Sequence, residues 1–174
     1  DVGACITNLR DMLTRLLPAP LKLEWQCDGI VPRVHADEAN LEQVIINLVV
    51  NARDALPAGG RIWLGLRSVT IDAETAARHV DARVGRFACL SVLDNGTGID
   101  PEVLPRIFEP CFSTKEVGAG TGLGLATVHG IVHQTGGFIS VNSTVGAGTT
   151  FIIYLPRFAE AAGAAKPGVV EEKA

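Results

Sequence analysis

Asn47, Asn51 and Asp54 recur at steps of four and three, so a helix would carry their polar side chains along one face. An asparagine carbonyl is a hard, neutral oxygen, suited to a Mg²⁺ ion whose charge phosphates already balance. Two asparagines can equally cap buried polar groups. Further on, LDNGTGID (residues 93–100) ends an apolar run in a lone carboxylate, Asp94, followed by Gly96 and Gly98. Such a carboxylate can accept a hydrogen bond from an exocyclic amine like that of adenine, while glycines admit a flat ring to the backbone. An Asx turn leaving a strand would read the same way. An EF-hand is excluded, because its ligand spacing and bidentate glutamate are missing.

Two later stretches add to this chemistry. In IFEPCFSTKEVGAGTGLGL (residues 107–125), Phe108 and Phe112 read as anchors of a flexible segment whose one cation is Lys115. Gly118, Gly120, Gly122 and Gly124 alternate with Ala119, Thr121 and Leu123 just before a helical pattern. At a helix start, unpaired amides and the helix dipole favour anions, so the amides of Gly122, Leu123 and Gly124 can close around phosphates. The spacing is neither a dinucleotide fingerprint nor a Walker A loop, and a plain glycine linker stays open as an alternative. In GAGTTF (residues 146–151), Thr149 shares a strand face with Phe151 and can reach the same pocket; alone, the stretch is an ordinary glycine turn.

Positioning these groups requires particular elements. Val2, Ile6, Leu9, Leu13, Leu16 and Leu17 predict a helix over residues 2–17, closed by Pro18 and Pro20. Leu21–Cys27 alternates as a half-buried strand. Asp37 is the expected N-cap of a helix to about Leu56, with Leu41, Val44, Ile45, Leu48, Ala52, Ala55 and Leu56 as its buried stripe. Strands follow at Ile62–Val69 and Phe87–Leu93, then a short helix at Pro101–Ile107 and a longer one ending near Gln134. Phe138–Val141 and Thr150–Leu155 form a hairpin turning at residues 144–148. Residues 72–84 are polar and without clear pattern, and the tail after Arg157 is expected to be disordered. The pattern implies an α/β (α+β) two-layer sandwich, a mixed β-sheet against about three helices. The expected organisation is residues 1–20 as the end of a preceding helical region, 21–157 as one binding domain, and 158–174 as tail.

Composition narrows the function classes. The chain of 174 residues is 47% hydrophobic and 20% charged, enough for one core without metal or disulfides. A net charge of −4 argues against a broad grip on nucleic acid. The apolar runs fall far short of the roughly 20 residues that cross a bilayer. Cys5, Cys27, Cys89 and Cys111 lack metal-ligand spacing and read as reduced thiols of a cytoplasmic protein. The abrupt start at Asp1 reads as the edge of a longer chain.

NLVVNARDAL, VLDNGTGI, IFEPCFSTK and GTGLGLATVHGIVHQTGG occur in this order. Together, over about residues 33–156, they resemble the ATP-binding domain of sensor histidine kinases, in the superfamily that also holds gyrase, Hsp90 and MutL ATPases. The resemblance implies a Bergerat-type fold with ATP between helix and lid, and Mg²⁺ on Asn51. Asp94 would read adenine, with Gly96, Gly98 and Ile99 beside the base, and Thr149 bonding to Asp94 through water. Phe108, Lys115, Gly118, Gly120, Thr121, Gly122, Leu123 and Gly124 would form the lid and its phosphate contacts. Asp54 stands where some relatives have a phosphate-touching lysine, which would leave more of that task to Lys115.

Two departures sharpen the reading. Hydrolysing relatives carry a glutamate one turn before the magnesium asparagine; here the residue is Asn47, and an amide cannot take a proton from water. Cys111 replaces a second phenylalanine usual in the lid motif, which should loosen its packing. The acceptor histidine of such kinases is followed by an acidic residue, whereas the four histidines here precede Ala36, Val80, Gly130 and Gln134. The expected function is therefore transfer of the ATP γ-phosphate to a histidine on a separate dimerisation domain, in a homodimeric parent that serves a response regulator receiver domain. The rivals are a free-standing ATPase clamp and an interaction module blind to nucleotide. His129 and His133, one helical turn apart, lack a third metal ligand.

Overall fold

The opening helical pattern becomes α1 (Val2–Leu16), whose N-cap carboxylate, Asp1, accepts a hydrogen bond from the Ala4 amide at 3.0 Å. The structure, a computed structural model, describes residues 1–31, 33–77, 81–114 and 122–158. After β1 (Lys22–Asp28), α2 (Glu38–Asp54) starts at Asp37, whose side chain accepts from the Asn40 amide at 3.2 Å. Its buried stripe is Leu41, Val44, Ile45, Leu48, Val49 and Ala52. The chain continues through β2 (Arg61–Ile71), a one-turn helix α3 (Ala73–Ala76), β3 (Gly85–Asp94) and a 3₁₀ turn at Leu104–Arg106. Then come α4 (Gly124–Gln134), β4 (Phe138–Thr144) and β5 (Gly148–Pro156). The strands run a little beyond the expected limits, and the short helix expected at 101–107 is mostly turns around the 3₁₀ segment.

The five strands form one mixed sheet in the order β1-β2-β3-β5-β4, parallel only between β1 and β2. Alternation sends Ile62, Leu64 and Leu66 of β2, Ala88, Leu90 and Val92 of β3, and Phe151, Ile153 and Leu155 of β5 to one face, all buried. α1, α2 and α4 cover that face and complete one core, in which α1 supplies Val2, Cys5, Ile6, Leu9 and Leu13. Packing therefore crosses the connection between α1 and β1. The described architecture is the two-layer sandwich implied by the sequence. A smaller cluster, Ile71, Phe87 and Phe138, sits on the other sheet face under Ala76 and Ala82, two residues of the stretch that showed no clear pattern. The tail from residue 159 onward lies outside the described residues.

Candidate functional site

The core-facing rows of β3 and β5 do not end in aliphatic residues. One step beyond Val92 the row reaches Asp94, and one step before Phe151 it reaches Thr149; the register pairs these two. Each is 4% exposed, and they are the only buried polar residues among those described. The sheet's apolar layer thus stops at a carboxylate and a hydroxyl, and beyond them the space between sheet and helices opens into a cleft of ≈ 520 Å³. Burial pushes the Asp94 carboxyl above the usual carboxylate range, against the backbone N–H groups of Gly96 and Thr149, which favour its ionised form. The Gly96 amide donates to Asp94 Oδ1 at 2.8 Å.

The loop after Asp94 is fixed by the protein itself. Thr97 donates its amide to the Ala55 carbonyl at the end of α2, at 3.0 Å, and its own carbonyl accepts from the Gly146 amide at 2.8 Å. A Cβ on Gly96 would run into the Ala55 carbonyl, and one on Gly98, at φ +72°, into the Thr144 carbonyl. Both glycines were expected to make room for a ring. Their hydrogen-only side chains let this loop wedge between α2 and the β4–β5 turn, and of the two Gly98 lines the cleft. Ser143, which the sequence reading passed over, accepts the Ile99 amide at 2.8 Å and lies 2.9 Å from the Thr149 hydroxyl. It ties the loop to the hairpin from a position that only the strand register reveals.

α2 forms the opposite wall with Asn47, Asn51 and Asp54, as their spacing implied. Their situations differ. Asn47 accepts from Gln43 Nε2 at 2.9 Å and donates Nδ2 to the Gly124 carbonyl at 3.2 Å, bridging α2 to the start of α4. The Asn51 side chain has no hydrogen-bond partner among the described residues, leaving its amide oxygen available to the cleft. Arg53 also lines the cleft and grips Asp54 Oδ1 with Nε at 2.9 Å and Nη2 at 2.7 Å. The stepwise helical face omitted Arg53 because it lies off the row; its long side chain brings it back.

At the cleft mouth, Phe112, Ser113 and Thr114 line one side and Gly122, Gly124 and Leu125 another. Arg106 sits over the Phe112 ring at 4.4 Å and pairs with Glu109 at 3.0 Å. Phe108 faces elsewhere: its ring packs 5.0 Å from that of His129, anchoring the segment to α4 without lining the cleft. Leu123 occupies the N-cap position of α4 without a side-chain cap and is not a lining residue. The Cys111 amide donates to the Gly122 carbonyl at 3.1 Å, joining the start of α4 to the segment of residues 108–112. Lys115, Gly118, Gly120 and Thr121 lie outside the described residues. Asp94, Thr149, Ile99, Gly98, Asn47, Asn51, Asp54, Gly122 and Gly124 are brought together around one space.

The model of histidine kinase-, DNA gyrase B-, and HSP90-like ATPases matches residues 36–159, most of the chain. The chain belongs to this ATPase family. Within the family it is 46% identical to the sensor kinase CckA of Brucella abortus (strain 2308) over 160 residues, 92% of this chain but 17% of that kinase. Among solved structures, a mycobacterial sensor histidine kinase, MprB, aligns with a TM-score of 0.69 at 28% identity, covering 90% of this chain and 96% of that one. Full-length ShkA in complex with AMPPNP aligns with a TM-score of 0.71 at 26% identity, covering 93% of this chain and 31% of that one. The chain thus spans a small part of its curated relatives' length. Among the described residues, no helix is long and apolar enough to cross a membrane and no group of His, Cys, Asp and Glu could hold a metal ion.

Proposed function

We propose that this chain is the ATP-binding catalytic domain of a two-component sensor histidine kinase, presenting the γ-phosphate to a histidine on a dimerisation domain elsewhere in the parent protein. The observation that carries this reading is the pair Asp94 and Thr149, polar and buried where the apolar rows end, facing a cleft roofed by α2. An ionised carboxylate there accepts the adenine amino group, and apolar Ile99, Val103 and Ile107 flank the ring. The donor set fits Mg²⁺: the neutral amide oxygen of Asn51 faces the cleft unpartnered among the described residues, and phosphate oxygens would complete the coordination. Bound there, the ion would offset phosphate charge.

The chain's own residues do the rest by positioning, which is most of what phosphoryl transfer requires. Asn47 holds the start of α4 against α2, so that the amides at this helix start, Gly122 and Gly124 among them, face the phosphates. Lys115, Gly118, Gly120 and Thr121 are assigned to the lid from the sequence. One turn before Asn51 stands the amide of Asn47, held by Gln43 and Gly124 and unable to take a proton from water, which favours transfer over phosphate release. The parent is proposed to be a cytoplasmically exposed homodimer that phosphorylates a receiver domain. Calorimetric titration of ATP with Mg²⁺ tests the reading: saturable binding is expected, lost in Asp94→Asn. Equal binding by wild type and variant would refute it.

A further inference from the structure

We propose that Arg53 grips the phosphate chain of the bound nucleotide, a contact that rests on reading the cleft as a nucleoside triphosphate site. Among the described residues that line the cleft, Arg53 is the only lysine or arginine, and it shares that lining with two carboxylates, Asp54 and Asp94. A polyphosphate entering past those carboxylates meets repulsion unless a cation accompanies it. Arg53 is placed to be that cation. It is partly buried, so its charge is not wholly screened by water.

The guanidinium is also oriented. Nε and Nη2 both donate to Asp54 Oδ1, at 2.9 and 2.7 Å. Of the five N–H groups of an arginine, this uses the side edge and leaves the end edge, formed by Nη1 and the second hydrogen of Nη2. That end edge has no partner among the described residues, and its geometry matches two oxygens of a phosphate. Asp54 thereby holds the planar fork in place before the ligand arrives, reducing the rotamer freedom lost on binding. Asn51, the proposed metal ligand, is two residues away on the same helix and lines the same cleft, so the phosphates are expected at this end.

The test compares ligands with and without phosphates on the intact 174-residue chain. ATP with Mg²⁺ is titrated by calorimetry and adenosine by ligand-observed NMR, against wild type, Arg53→Ala, Arg53→Lys and Asp94→Asn. Loss of a charge-assisted bidentate contact in Arg53→Ala should weaken ATP by about tenfold or more. Adenosine should bind as in wild type, which also shows that the variant is folded. Arg53→Lys should recover part of the loss. Unchanged ATP binding by Arg53→Ala overturns the proposal, as does an equal weakening of ATP and adenosine, the mark of a purely structural role. If wild-type ATP binding is lost in Asp94→Asn yet kept in Arg53→Ala, the nucleotide reading stands and the Arg53 contact falls. If wild type binds neither ligand, both fall together.

Discussion

Asp94 is held in a conflict that its proposed role explains. Burial disfavours its charge, whereas recognition of an amino group needs that charge. A carboxylate whose pKa is raised by folding adds stability fully present below its unfolded pKa and lost as pH rises through the folded value. At neutral pH the charged Asp94 therefore costs stability. Asp94→Asn should raise the melting temperature of the unliganded chain at pH 7 while weakening ATP by about tenfold or more; a lower melting temperature would contradict this account. ATP affinity in wild type should also fall on acidification above the ordinary carboxylate range, with no such fall in the variant. At Asn51, substitution by Ala should remove the Mg²⁺-dependent part of ATP binding, read as equal affinities with and without chelator. Asn51 and Asp94 were legible in the sequence because their chemistry resides in the side chain and their spacing in one element. Gly96 and Gly98 were legible only as glycines. Their reason, the carbonyls of Ala55 and Thr144, depends on which loops meet, and no local pattern records that.

Elements reach the cleft in pairs, and the pairs are joined by a few hydrogen bonds and ring contacts. Ser143 joins the loop after β3 to the β4–β5 hairpin through the Ile99 amide and the Thr149 hydroxyl. Ser143→Ala should cost about 1–3 kcal/mol in chemical denaturation, because it strands a partly buried amide. Gly96→Ala should cost more, since backbone rather than a flexible side chain would have to move. α4 is tied to the segment after the 3₁₀ turn by Phe108 against His129, whose ring also lies 4.2 Å from that of His133. Burial and the neighbouring His133 hold His129 below the usual histidine range, with Asp81 opposing. A depressed histidine contributes stability that is present above its unfolded pKa and lost as pH falls through the folded one. Unfolding curves should therefore weaken below about pH 6.5, and less so in His129→Gln. The element types and most of their centres were readable from periodicity. Their ends were not, because strands extend as far as a neighbour supplies hydrogen bonds.

For the molecule as a whole, α1 is part of the support of the site. Its side chains fill the same core as α2, and α2 carries the polar wall. Leu13→Ala should destabilise by about 2–5 kcal/mol, and a chain begun after residue 20 is expected to lose cooperative unfolding. The intact chain should bind ATP without labelling itself, since no histidine here has the acceptor context; phosphohistidine on the isolated chain would contradict that. One last consequence follows from the backbone bond between Cys111 and Gly122. It joins the described residues on either side of 115–121, so the sandwich itself holds both edges of that stretch whatever its length. Lengthening a flexible loop costs only about 0.6 kcal/mol per doubling. Shortened or extended versions of residues 115–121 should therefore leave the melting temperature nearly constant while altering nucleotide residence time, so that exchange kinetics could be tuned there without renegotiating the fold.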